Sequence, residues 1–306
     1  MNNIDMHFHS TMSDWKLTNP EIIQKAKEEW VDLAIVTEHD IVNKDFPLLA
    51  SENNIQSAQW VEISTTDEII SNKHLHILCY ANDISWKIVD LIENTRKWKV
   101  AKIKIQLDKL KENWFFCSYE EFIEDCINKA YNIENLNSFH INNYIFENSK
   151  NKEVIKKITW EDIPSWEFIG RCLKEEWDFR DLWWWPVVKY EPSISEVWKI
   201  IKNNWYFLSL AHPNFNFGDD YELFRKFIEE YKDIFNAIEI NSLATKKWVE
   251  VILDTAKKYN MILTFGSDDH FYEMTDDYHG RLWTPNPHIS ESIRSENINK
   301  FKNKLK

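Results

Sequence analysis

The segment Ile4-Asp5-Met6-His7-Phe8-His9 has strand character and carries two histidines two residues apart. Residues i and i+2 of a strand project from the same face, so His7 and His9 can hold one metal ion together. Asp14 follows in the next loop, where its carboxylate can reach a second ion. A single H-x-H pair is weak evidence, because packed or surface histidines are commoner than ligands. Repetition strengthens it. His39 and Asp40 follow the run Leu33–Thr37, and Glu62 lies within Trp60–Ser64. His74 and His76 belong to the run that ends at Tyr80, His212 closes Tyr206–Ala211, and Asp268 and His270 follow Ile262–Phe265. Imidazole and carboxylate donors without cysteine suit Mn²⁺, Fe²⁺ or Zn²⁺ and argue against a structural zinc site.

The elements that must present these side chains are legible from hydrophobic alternation. Seven strands are predicted at Ile4–His9, Leu33–Thr37, Trp60–Ser64, Leu75–Tyr80, Tyr206–Ala211, Ala237–Ile240 and Ile262–Phe265. Helical periodicity intervenes at Pro20–Trp30, Tyr221–Tyr231 and Lys246–Tyr259. This alternation predicts an α/β fold with parallel strands, closed or nearly closed as a barrel. Ligand-type residues fall on six of the seven strands, mostly at the C-terminal ends, where a βα barrel builds its active site. Residues 85–204 break the pattern with 3.6-period stretches at Lys87–Asn113, Tyr119–Tyr131, Glu153–Ile158 and Phe168–Glu176. The expected organisation is therefore a barrel from 1–84 and 205–290, a mostly helical insertion over 85–204, and a C-terminal tail over 291–306. The lysines of that tail (Lys300, Lys302, Lys304 and Lys306) are expected to be solvated.

In order along the chain stand Asp5-Met6-His7-Phe8-His9-Ser10 with Ser13-Asp14, then Thr37-Glu38-His39-Asp40 and Val61-Glu62-Ile63-Ser64. His76-Ile77-Leu78, Ala211-His212-Pro213 and Gly266-Ser267-Asp268-Asp269-His270 complete the set. Together they resemble the PHP (polymerase and histidinol phosphatase) family over residues 1–80 and about 190–275. The resemblance implies a distorted seven-stranded (β/α) barrel with a trinuclear divalent-metal centre. Its implied ligands are His7, His9, Asp14, His39, Glu62, His76, His212, Asp268 and His270. It also implies hydrolysis of a small phosphate ester by a metal-activated hydroxide, with all of these except His76 acting at the catalytic centre. Nucleotides or nucleoside bisphosphates are the expected substrate class. A histidinol-phosphate-type phosphatase, an exonuclease and a non-catalytic metal-binding module are the alternatives. The chain departs from the family pattern at Glu38, where aspartate is usual, and in the insertion, where Phe168-Ile169-Gly170-Arg171 lacks an expected histidine. His74 competes with His76, both facing one way. Arg171, Arg281 and His140 are candidate substrate-binding residues, the arginines because a guanidinium grips phosphate or carboxylate in a bidentate fork.

Composition narrows the partners. A net charge of −13 disfavours long nucleic acid, leaving a small phosphorylated molecule. No apolar run approaches membrane-spanning length. Four cysteines without C-x-x-C spacing, and an N-terminus with no apolar leader, are read as a cytoplasmic protein with reduced thiols.

The chain holds 16 Trp and only 4 Gly, whereas about 7% Gly is ordinary. Trp15, Trp30, Trp60, Trp177 and Trp205 stand where turns or helix ends call for glycine, and Trp183-Trp184-Trp185-Pro186 reads as a glycine-rich loop. Many of these codons are therefore expected to be UGA, decoded as glycine in the source organism.

Overall fold

The structure is a computed structural model that describes residues 3–71, 73–81, 84, 86–168, 191–202, 206–270 and 280–304. Each predicted strand is present within one to three residues of its expected bounds. The first pair is parallel: β1 (Asn3–Phe8) lies beside β2 (Val31–Val36), joined by helix α1 (Asn19–Glu28). Pro20 and Glu21 in the first turn of α1 suit a helix start, since proline lacks the N–H that would go unpaired and glutamate favours the positive end. Helix α2 (Asp45–Glu52) follows, and Phe46 packs with Phe8, Ile22 and Trp15 into one apolar cluster.

The remaining strands form a five-stranded sheet in the order β3 (Gln59–Asp67), β4 (Lys73–Ala81), β5 (Phe207–Leu210), β6 (Ala237–Asn241) and β7 (Ile262–Gly266). Two of its pairings are antiparallel, β3 with β4 and β4 with β5. This corrects the expectation of parallel strands, while the α/β class stands. Between β3 and β4 there is only a short 3-10 turn, Glu68–Ile70, with Ser71 at φ +58°, and a parallel crossover needs a dozen or more residues. The chain must therefore form a hairpin there. The two sheets are not closed into a seven-stranded barrel. They meet through single bridges, Phe8 with Asp269 and His39 with Glu62, so the seams run through ligand-type residues.

Two compact units are present. The first comprises residues 1–93 and 191–306, the second 94–190. Helix α3 (Trp86–Glu112) runs from one into the other. The second unit is helical over its described residues: α4 (Tyr119–Asn128), α5 (Ser138–Glu147), α6 (Ser149–Thr159) and α7 (Ser165–Phe168). Leu107, Leu110, Phe122, Ile141, Ile145 and Phe168 fill its own core. In the first unit follow α8 (Ile194–Ile201), α9 (Pro213–Phe217), α10 (Tyr221–Tyr231), α11 (Lys246–Tyr259) and α12 (Glu291–Lys304). The last of these corrects the reading of 291–306 as a tail. Phe301 and Ile298 are buried, and Asn297 Oδ1 accepts the Leu263 N–H of β7 at 3.0 Å. The polar composition concealed a sparse apolar stripe.

Trp30, Trp114, Trp160 and Trp283 lie at φ between +54° and +71°, a region that favours glycine. The first three follow helices and are largely exposed. Trp15 and Trp60 do not: both are buried with ordinary φ, which corrects the expectation of a left-handed turn beside the ligands. Trp177, Trp183, Trp184, Trp185 and Trp205 lie outside the described residues, as does Cys172. Cys79, Cys117 and Cys126 are free and buried.

Candidate metal centre

Strand ends and the turns after them place the ligand-type side chains. His7 belongs to β1 and His9 follows directly, both facing inward with no exposure. The loop beyond is cinched by Ser13 and Trp15 N–H groups donating to the Ser10 carbonyl at 3.1 Å, which turns Asp14 back toward His9. Glu38 holds the same loop by accepting the Ser10 N–H at 3.0 Å and the hydroxyls of Ser10 and Ser13. In the hairpin, His76 pairs opposite Ser64 and is diagonal to Glu62, so both project from one face. After β5 and β7 the chain turns sharply, with φ +23° at His212 and +55° at Asp268. Backbone held in such regions is a hallmark of functional sites.

All nine predicted side chains converge. Glu62 is the hub: its Oε2 lies 3.2 Å from His7 Nε2, 3.3 Å from His9 Nε2 and 3.0 Å from His39 Nδ1. Its Oε1 lies 3.0 Å from His76 Nδ1 and 3.1 Å from His212 Nε2. Asp268 Oδ1 approaches His7 and His9 at 3.3 and 3.2 Å, and Asp14 approaches His39 and His270 at 3.5 Å. Eight of the nine fall into three groups, each with its ligand atoms within 4.8 Å of one another: His9, Asp14, His39 and His270; His7, His9, Glu62 and Asp268; His39, Glu62 and His76. His212 joins them through Glu62.

The donor set fits divalent cations. Ligand atoms about 2.1 Å from one ion, at octahedral to tetrahedral angles, stand about 3.0–3.4 Å apart, and most of these separations fall there. His7 Nε2 and Glu62 Oε2 are buried and make no hydrogen bond of sound geometry, despite their 3.2 Å separation. His39 and His270 face each other through Nε2 atoms 3.3 Å apart, as do His76 Nδ1 and His212 Nε2. Facing ring nitrogens at this separation suit ligation of a shared ion as well as a single N–H···N bond.

Electrostatics reinforce the convergence. Burial alone would raise the Glu62 carboxyl, but the imidazoles of His76, His39 and His7 hold it well below the usual range. Burial likewise opposes ionisation of Asp268, and His7 and His270 outweigh it. Burial would lower His7, yet Glu239, Glu62 and Asp268 hold it well above 6.5. His212 is raised too, burial being overcome by its bond to Glu62 and by Asp268. Burial wins at His76, which falls well below 6.5.

The structure separates the competing histidines. His76 reaches Glu62, whereas His74 stands one step outward and half-exposed, its Nε2 at 2.6 Å from His76 and its Nδ1 at 3.1 Å from Glu191. His140 is elsewhere employed. It sits in the first turn of α5, where its Nδ1 accepts the Asn137 N–H at 3.0 Å and Tyr131 packs edge-on against its ring. Arg281 is exposed in the stretch leading to α12, its carbonyl accepting the Thr284 N–H. Arg171 lies outside the described residues.

Behind the ligands lies a layer of buried carboxylates: Glu239, which belongs to none of the sequence motifs, and Asp40 and Asp5, whose supporting roles those motifs do not reveal. Glu239 lies 2.9 Å from His7 Nδ1 and accepts the His212 N–H at 2.7 Å. Asp40 accepts from the Ser64 N–H and hydroxyl. Asp5 takes N–H groups from His7, Ser267 and Trp283, and burial pushes its carboxyl up to about 7 against those bonds. A signal existed for Glu239: in Ala-Ile-Glu-Ile-Asn it is an acidic residue amid a fully buried strand.

A scan of protein-family profiles and a search of characterised proteins find no match. Solved structures do match. An amidohydrolase from Chromobacterium violaceum, with bound sulfate, aligns over 91% of this chain and 90% of its own at TM-score 0.69 and 17% identity. A candidate metal-dependent phosphoesterase from Bifidobacterium adolescentis aligns over 98% of this chain and 96% of its own at TM-score 0.70 and 16% identity. At such identities the likeness establishes the fold, which this chain shares with these hydrolases nearly from end to end.

Proposed function

We propose that the chain is a metal-dependent hydrolase of small phosphate esters, with nucleotides or nucleoside bisphosphates as the substrate class. The observation that carries this reading is the convergence of six imidazoles and three carboxylates in one centre, all of them buried but the partly exposed His76. The three overlapping groups support three cation positions, and the N/O donors suit Mn²⁺, Fe²⁺ or Zn²⁺. Such cations, once bound, supply Lewis-acid activation of water and offset charge building on a phosphoryl oxygen.

The protein's own groups do the rest. Glu62 gathers His7, His9, His39, His76 and His212 on its two oxygens, so one side chain spans the centre. Asp14 and Asp268 place two more negative charges within 4 Å of the imidazoles. An anionic ester would be repelled by these carboxylates until cations balance them, which orders binding as metal first and substrate second. His74, bonded to Glu191 at the outer edge, is the imidazole placed to hold a proton for a departing alkoxide.

The test is a panel of phosphoesters with added Mn²⁺, including 3′,5′-bisphosphates, histidinol phosphate and short oligonucleotides, alongside amide substrates. The expected result is release of phosphate from a mononucleotide or bisphosphate, abolished by chelation. Glu62→Gln should lower the rate well beyond the ~10–100-fold that outer-layer changes cost. Turnover of amides alone would replace phosphoester hydrolysis with C–N hydrolysis.

A further inference from the structure

Strand β6 is the one strand without a predicted ligand, yet it sends a fully buried glutamate toward the centre. Glu239 uses both oxygens: Oε1 faces His7 Nδ1 at 2.9 Å, and Oε2 accepts the His212 backbone N–H at 2.7 Å. Gly266, across the parallel β6–β7 pairing, has no side chain to interfere. A Cβ there would overlap both the His7 Cβ and Glu239 Oε1. The close approach of β7 thus presses His7 and Glu239 together.

We propose that Glu239 is a positioning residue of the metal centre, fixing both the tautomer of His7 and the placement of His212. This rests on the metal-dependent reading above. A carboxylate can only accept, so neutral His7, the form that ligates a cation, keeps its proton on Nδ1 and offers Nε2, directed at Glu62 and Asp268, as the ligand atom. The second oxygen anchors the backbone at His212, where φ +23° needs outside support. One side chain therefore couples a ligand of β1 to a ligand at the end of β5.

An amide cannot replace it. Glutamine offers one acceptor where two donors converge. Either its NH₂ meets the His212 N–H, or it donates to His7 Nδ1 and drives the proton to Nε2. Glu239→Asp keeps both acceptors with shorter reach and serves as the conservative variant.

The test is Mn²⁺ binding to the full chain by titration calorimetry, paired with thermal melts of the metal-free proteins and Co²⁺ absorption spectra. Glu239→Gln is expected to bind about 10–100-fold more weakly, with an altered Co²⁺ spectrum and a metal-free melt close to wild type. Glu239→Asp should recover part of the affinity. Wild-type binding in Glu239→Gln would overturn the proposal. So would an affinity loss that merely tracks a collapsed metal-free melt in both variants. A wild-type chain that binds neither Mn²⁺ nor Co²⁺ would instead defeat the metal-dependent reading, and this inference with it.

Discussion

At the scale of single residues, the surrounding carboxylates set how readily each imidazole gives up its proton to a cation. His7 and His212 keep theirs above the ordinary value of 6.5, because the carboxylates around them outweigh burial. His76 is already neutral, since burial dominates there. A metal must be ligated by neutral imidazole, so binding should expel protons from His7 and His212 but not from His76. The sign follows directly: raising pH removes the competing protons, so affinity should increase with pH through and beyond neutrality. Calorimetry in buffers of different ionisation enthalpy would show net proton release at pH 7. An affinity that stays flat between pH 6 and 8 would contradict these directions.

At the scale of elements, several helices end on a residue poorly suited to the turn. Trp30, Trp114 and Trp160 adopt left-handed φ just past α1, α3 and α6, a conformation that costs a side-chain-bearing residue about 1–2 kcal/mol. Replacing each by glycine should raise the denaturant midpoint, by an amount equivalent to about 1 kcal/mol of stability per site. Trp60 gives a sharper test. Its indole is fully buried against Tyr80 and Phe301, in a strand where the sequence pattern calls for glycine. An ordinary core Trp truncation loses about 3–5 kcal/mol, whereas Trp60→Gly should stabilise. Stability lost at all four positions would show that these tryptophans are native to their sites, and UGG codons in the gene would show the same.

For the whole molecule, two units with separate apolar cores carry unequal shares of the chemistry. Every ligand-type residue of the centre belongs to the unit formed by 1–93 and 191–306. Ligand binding stabilises the part that binds, by mass action. Added Mn²⁺ should therefore slow amide exchange in β1, β3, β6 and β7 and leave peptides from 113–168 unchanged. Equal protection of both units would mean that they unfold as one. Among the described residues no helix is long and apolar enough to cross a membrane.

Strand positions were written in the sequence because alternation is a local signal with a period of two. The ligands were legible for a related reason: His7-x-His9 and Gly266-Ser267-Asp268-Asp269-His270 keep their donors adjacent in the chain. Choosing His76 over His74 needed more, because both face the same side and only the register of β4 against β3 decides which meets Glu62. Glu239, and the supporting roles of Asp40 and Asp5, escaped notice because their value lies in partners more than twenty residues away, such as His7, Ser64 and Trp283. The open seams and the antiparallel hairpin were likewise invisible to periodicity, which gives strands but not their neighbours. By itself the sequence determined which atoms could bind metal. Only the tertiary structure decided that the nine converge, five imidazoles of them on the one carboxylate of Glu62, since closeness between distant residues arises from packing and not from spacing along the chain.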